Sequence, residues 1–205
     1  GSARNPGIPR VPGALQVWRQ AVAGRHDAVL LGSAGDQVKH LLHRLSRGEF
    51  PKGTTPRVIV LLIGINDWLQ TPKVTLKSPA GLARIANHVS GAIARIVALL
   101  HHLSNCSSRI IVMGILPCGS VKNGRGLQYS WPSLYTKPIN LTNQAIRALA
   151  ETHSGVEYLD CGKHLLNESG RGMNKTNTYD GLHPSAQGYA VLLRSCLLPA
   201  VAPYL

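Results

Sequence analysis

The sequence predicts an α/β fold: a three-layer α/β/α sandwich built on a flavodoxin-like, doubly wound parallel sheet. Two observations carry this. Four short apolar runs rich in β-branched residues, "DAVLLG" (27–32), "RVIVLLIG" (57–64), "RIIVMGILP" (109–117) and "VEYLD" (156–160), lack the alternation of a strand with one wet face, as strands covered on both sides do. Segments of helical period separate them, and strands that alternate with helices form parallel βαβ units.

Each element has its own reason. Residues 1–16 hold Pro6, Pro9 and Pro12, which lack the donor that a sheet ladder needs, so an irregular arm is expected there and one domain over 17–205. A chain of 205 residues, 44% of them hydrophobic, suits one core of that size. Val38, Leu41, Leu42 and Leu45 keep a 3.6 period after Asp36. Leu82, Ile85, Val89, Ile93, Ile96, Val97 and Leu100 keep it after Ser78, an N-cap residue, with Pro79 at the first helical position. A further helix is expected near 139–152 and a last one from 184 to about 196. The run "VIVLLI" (58–63) is expected inside the sheet. The long segment 118–138, with Tyr129, Trp131 and Tyr135, reads equally as a substrate-facing lid or as a surface excursion.

Composition limits the function classes. The formal net charge is +13, yet the 22 Lys and Arg residues are scattered as singles without aromatic interleaving. That makes a dedicated nucleic-acid site unlikely and leaves a generally basic surface suited to acidic partners. The apolar runs are strand-sized, so no membrane span and a soluble chain are expected. Cys106, Cys118, Cys161 and Cys196 show neither a CxxC pair nor metal spacing, which favours buried or singly paired thiols. Four of the ten asparagines, Asn105, Asn140, Asn167 and Asn174, stand in N-x-[ST] sequons, where 24 Ser and Thr predict about one by chance. A secreted or lumenal protein is therefore expected. The opening Gly-Ser is a common cloning scar and no signal peptide is seen, so Gly1 is not expected to be a natural start.

The chemistry-bearing stretch is "NTYDGLHPSAQGYAVLL" (177–193). Asp180 can hold one imidazole nitrogen of His183 and leave the other free as a general base, the base-plus-orienter logic of a triad. Gly35, at the turn of "LGSAGD", offers a backbone N–H. Asn66, in "LIGIND", offers a side-chain amide just past a strand end, where ligands bind in open α/β sheets. Donors of this kind stabilise a developing oxyanion. The histidines His40, His43, His101 and His102 have helical spacings but no carboxylate or thiolate partner, so no metal is expected.

Taken in order, G-x-x-G-D at 32–36, G-x-N at 64–66 and D-x-x-H-P at 180–184 resemble consecutive blocks of the SGNH (GDSL-type) hydrolases. The similarity is greatest to the platelet-activating factor acetylhydrolase catalytic-subunit-like branch and covers about residues 17–195. The resemblance implies the SGNH hydrolase fold. It also implies an oxyanion hole from Gly35 and Asn66, His183 as base and Asp180 as its orienting acid. It implies a short-acyl ester of a sugar, lipid or small molecule as substrate and no cofactor. Trp68, Tyr129 and Trp131 are candidates for the substrate pocket.

The family's first block, a central strand ending in G-D-S that carries the nucleophile, is not found. Its place falls on "NPG" (5–7), among the three prolines. Ser33 is the nearest substitute, but a residue at the oxyanion turn is badly placed to attack a carbonyl held by that turn. Two readings follow: an ester hydrolase whose serine lies outside this chain, or a noncatalytic relative serving as a binding or structural subunit. In the first, an upstream segment or a partner completes the sheet.

Overall fold

In the computed structural model, residues 13–119 and 129–205 are described. The chain enters as helix α1 (Ala14–Trp18), which widens into a π-helical turn over Arg19–Ala23. Helical structure therefore begins inside the expected arm. Val17, Trp18, Ala21 and Val22 pack on Leu193, Leu197 and Leu198, and this burial holds the short helix.

The next expected strand does not form. Residues 27–32 carry no ladder, and Val29, Leu30 and Leu31 are exposed. The composition suits a strand, but no described segment pairs with it, and an apolar run without a neighbour has no ladder to join. Helix α2 (Val38–Ser46) follows. The buried Asp67 carboxylate accepts the Val38 N–H at 3.1 Å, satisfying one orphan donor of its first turn.

Strands β1 (Val58–Leu61), β2 (Arg109–Met113) and β3 (Val156–Leu159) form a parallel sheet in the order β1-β2-β3, with Val58 opposite Arg109 and Ile110 opposite Val156. The expected interior position of 58–63 is corrected: among the described residues β1 is an edge strand, with Val60 and Leu62 exposed. The physical reason is the same as for 27–32, since the run that was to continue the sheet beyond β1 is unpaired.

After β1 come two short helices, α3 (Ile65–Leu69) and α4 (Lys73–Leu76), and then the long α5 (Pro79–Leu103). The Ser78 hydroxyl accepts the Gly81 N–H at 3.2 Å, the expected cap, which contributes about 1 kcal/mol. Helix α5 is long and apolar enough by length and composition to cross a membrane. Its stripe of Leu82, Val89, Ile93, Ile96, Val97 and Leu100 is instead buried, mostly against the sheet. Helix α6 (Thr136–Thr152) precedes β3, and α7 (Ala186–Leu192) runs through a π turn into α8 (Leu198–Val201).

Period-two alternation then sorts the layers. Ile110 and Val112 point into a core shared with α2, α5 and α6. Met113 points the other way, toward Leu165, Met173, Leu192 and Cys196. Three layers result, with the sheet in the middle. Cys161, just past β3, is disulfide-bonded to Cys196 in the π turn, while Cys106 and Cys118 are free.

Candidate active site

In parallel βαβ architecture the carboxyl ends of the strands and the N-termini of the following helices share one edge. Four segments meet along it. The turn 33–36 precedes α2, Ile65–Leu69 follows β1, Gly114–Gly119 follows β2, and Tyr179–His183 precedes α7.

The turn that holds the acid and base is built by Asp180 itself. Its Oδ1 accepts the backbone N–H groups of Leu182 (2.9 Å) and His183 (2.7 Å), an Asx-type turn that requires Gly181 at φ +77°. The Tyr179 N–H closes the loop on the His183 carbonyl at 2.8 Å. The other carboxylate oxygen, Oδ2, lies 2.7 Å from His183 Nδ1. A carboxylate accepts, so Nδ1 donates to it, and none of the described hydrogen bonds engages Nε2. The His183 side chain is 49% exposed and that of Asp180 19%. Burial pushes the Asp180 carboxyl up. The His183 N–H and ring and the Leu182 N–H outweigh that, and Asp180 lies below its ordinary range. It is therefore ionised at neutral pH.

Below the turn, Ser185 caps α7 by accepting the Gly188 N–H at 3.0 Å. A Cβ at Gly188 would stand 1.9 Å from the Asn177 carbonyl oxygen, so only glycine lets the helix approach the preceding loop this closely. Ser185 N–H donates to that carbonyl at 3.0 Å.

Across the edge, the Asn66 amide donates to the Asp36 carbonyl at 3.0 Å and so sits on the turn of Gly35. Gly35 is exposed at φ +81° with open space where a Cβ would stand. Asp36 is itself held by Arg44 at 2.5 Å. The two halves of the edge are joined in two ways. Leu182 packs on the cluster of Trp68, Leu76, Ile115 and Cys118, which also takes in Ile65, next to Asn66. The Gly119 N–H donates to the Gly181 carbonyl at 2.7 Å.

The aromatic candidates divide. Trp68 is corrected from pocket to core: it is fully buried, and its indole N–H donates to Thr142 Oγ1 at 3.1 Å. A short helix after β1 turns it inward, away from the solvent that a substrate would enter by. Tyr129 stays at the edge, its hydroxyl donating to the Tyr179 carbonyl at 2.9 Å, one residue from Asp180. Trp131 packs beside it on the cluster of Met113 and Leu165. Residues 120–128 of the expected lid lie outside the described residues. Ser33 is exposed, its carbonyl accepting the Asp36 N–H at 3.3 Å, and no described hydrogen bond joins its hydroxyl to the His183 ring.

Several supporting residues carried no signal in the sequence. Asn143 on α6 accepts the Ile115 N–H (2.8 Å) and donates to its carbonyl (3.0 Å), fixing the segment after β2. Ser133 donates to the Cys118 carbonyl at 2.6 Å. The Cys118 thiol, buried and near Asp180, is pushed up to about 12, so it is a poor nucleophile. Asp67 could have been suspected, since it is a lone carboxylate between the apolar run 58–65 and Trp68 and Leu69. Among the described residues no group of three or more His, Cys, Asp or Glu side chains could hold a metal.

A family model described as GDSL-like Lipase/Acylhydrolase family matches residues 3–191. The chain belongs to that family. It is 26% identical over 180 residues to the platelet-activating factor acetylhydrolase IB subunit alpha1 of Rattus norvegicus, covering 88% of this chain and 66% of the relative. It thus spans slightly less than two thirds of that relative's length. Among solved structures, a GDSL-like lipase from Bacteroides thetaiotaomicron superposes with a TM-score of 0.63 at 18% identity, over 95% of this chain and 82% of the other. A mutant of an acetyl-xylooligosaccharide esterase from Geobacillus Stearmophilus superposes with a TM-score of 0.60 at 14% identity, over 92% and 78%. These superpositions establish the SGNH fold, and the family match makes the chain a member of a hydrolase family.

Proposed function

We propose that this protein supplies the base, the orienting acid and the oxyanion donors of an ester hydrolase acting on short-acyl, acetyl-like esters of a sugar, lipid or small molecule. The observation that carries the reading is the ionised Asp180 on His183 Nδ1, with Nε2 engaged by none of the described hydrogen bonds. In this scheme Nε2 takes the proton of a serine hydroxyl as its oxygen bonds to the acyl carbon. The Gly35 N–H and the Asn66 amide receive the oxyanion, and His183 returns the proton to the leaving alcohol. Water then repeats the sequence on the acyl-enzyme. The Asn66 Nδ2 carries two hydrogens, and its bond to the Asp36 carbonyl engages one, which leaves the other for the substrate oxygen.

In this proposal the serine lies outside this chain, since no G-D-S block is found in it. The free edge of β1 and the unpaired 27–32 are the places where a strand ending in a nucleophile would fit. The four sequons, together with the disulfide, favour a secreted or lumenal setting.

Labelling with a fluorophosphonate, which reacts with activated serines, tests the proposal. The 205-residue chain and the full gene product are each compared with their His183→Ala variant. The expected result is labelling of the full product on a serine outside the 205-residue chain, abolished in His183→Ala. Labelling of Ser33 in the 205-residue chain would overturn it. Absence of labelling in every form would favour the second reading, a noncatalytic binding subunit, to which the lack of a described serine on His183 also points.

A further inference from the structure

Helices α2 and α5 lie side by side in one layer, both burying their apolar faces in the core shared with β1 and β2. Every exposed Lys or Arg that they turn outward stands without an acid beside it on its own helix. Exposed on α2 are Lys39, His40 and His43, with Arg47 just past its C-terminus; exposed on α5 are Arg84, His88, Arg95 and His102. Neither helix contains an Asp or Glu. The acids closest in sequence are already engaged, since Asp36 and Glu49 both pair with Arg44 and Asp67 is buried on the Val38 N–H. On α5 the four residues recur at intervals of four, seven and seven, which keeps them on one line parallel to the axis. At 1.5 Å per residue that line is about 27 Å long.

We infer that this face binds an anionic polysaccharide laid along the two helices. Charge complementarity selects a polyanion, because four cations, Lys39, Arg47, Arg84 and Arg95, stand with four histidines on a surface to which neither helix contributes an acid. The shape favours a thin, flexible chain over a duplex. Helices packed as neighbours lie about 8–10 Å apart, so α5 is flanked by α2 and α6 and cannot protrude into a major groove about 12 Å wide. Neither α2 nor α5 has a Phe, Trp or Tyr on which the bases of a single strand could stack. The line of charges also has direction. Arg84 lies near the N-terminus of α5, at the same edge of the sheet as His183, and His102 lies at the far end. A bound chain would therefore run from the opposite side of the molecule toward the candidate active site.

Binding is measured by calorimetry on the 205-residue chain, with sodium polygalacturonate and chondroitin sulfate as polysaccharide probes and with single-stranded and duplex oligonucleotides of matched charge. A fourfold variant, Lys39→Glu, Arg47→Glu, Arg84→Glu and Arg95→Glu, is compared with a control of exposed basic residues elsewhere, Lys163→Glu and Arg171→Glu. Circular dichroism confirms that both variants remain folded. The expected result is binding of at least one polysaccharide that weakens with added salt, falls by roughly tenfold or more in the fourfold variant and changes little in the control. Equal loss in the control would show a diffuse charge effect and overturn the proposal. So would tighter binding of either oligonucleotide than of both polysaccharides, or no binding of any polysaccharide at low salt.

Discussion

Two stretches of this chain have nearly the same composition and opposite fates. "IIV" at 110–112 is buried to within about one percent of full coverage, whereas "VLL" at 29–31 is 51–70% exposed. Both are wholly aliphatic, both are followed within two residues by a glycine, and both are followed by a helix later in the chain, although only the first is β-branched throughout. What separates them is the neighbour. Ile110 and Val112 have β1 on one side, β3 on the other and helices on both faces. Among the described residues the segment 27–32 has no paired strand on either side. Strand character in an α/β sheet is thus a property of the pair, and hydrophobic composition only makes a segment eligible for it.

The largest contrast is expected in hydrogen exchange. Amides of Ile110 to Val112 should exchange only through global unfolding, while those of Val29 to Leu31 should exchange at nearly the rate of a free peptide. Protection of residues 29–31 in the 205-residue chain, approaching that of β2, would mean that the segment has a partner and would erase the comparison.

A smaller effect is expected in stability. Ile110→Ala removes a fully buried side chain and should cost about 2–5 kcal/mol in urea unfolding. Leu30→Ala should stay within about 0.5 kcal/mol, as for other exposed positions. If the full gene product places a strand against β1, the cost of Leu30→Ala should rise there and only there.

The smallest effect concerns the acid–base turn that precedes α7. The Asp180 carboxyl is depressed in the folded protein, so its contribution is present above the unfolded carboxyl value of about 3.9 and is lost as pH falls through the lower folded value. The urea midpoint of the protein should exceed that of Asp180→Asn at pH 7, and the difference should shrink below about pH 4. A difference that is the same at pH 7 and at pH 3 would mean that ionisation of Asp180 contributes nothing.

Much of this could be read from the residues. Ser78 and Pro79 announce the start of α5, and the non-alternating runs at 109–113 and 156–159 become parallel strands. The three-residue spacing from Asp180 to His183 becomes a hydrogen bond because a glycine between them permits the turn. Other features were hidden for physical reasons. An apolar run does not say whether its neighbour exists, so 27–32 reads as a strand and 58–63 as an interior one, although the first forms no ladder and β1 lies at an edge of the described sheet. An aromatic past a strand end does not say which way it points, and for Trp68 the short helix α3 decides. Proline spacing masked α1, whose stability comes from residues 193–198, far away in sequence. The bridging amide of Asn143 depends on a contact across 28 positions that no local pattern encodes.

The disulfide between Cys161 and Cys196 has a consequence for the candidate site. It closes a ring of chain, 35 positions from one sulfur to the other, and Asp180, His183 and the start of α7 all lie inside that ring. Closing a loop of this length removes about 4 kcal/mol worth of freedom from the unfolded chain in the entropic account. The exposed tip of the ring, Asn167 to Arg171, is where a protease would cut first. A cut after Arg171 would open the backbone but not the ring's anchorage. The piece bearing His183 would stay bound through sulfur to the piece bearing the sheet, so the acid and base would outlast a nick that would otherwise set them adrift.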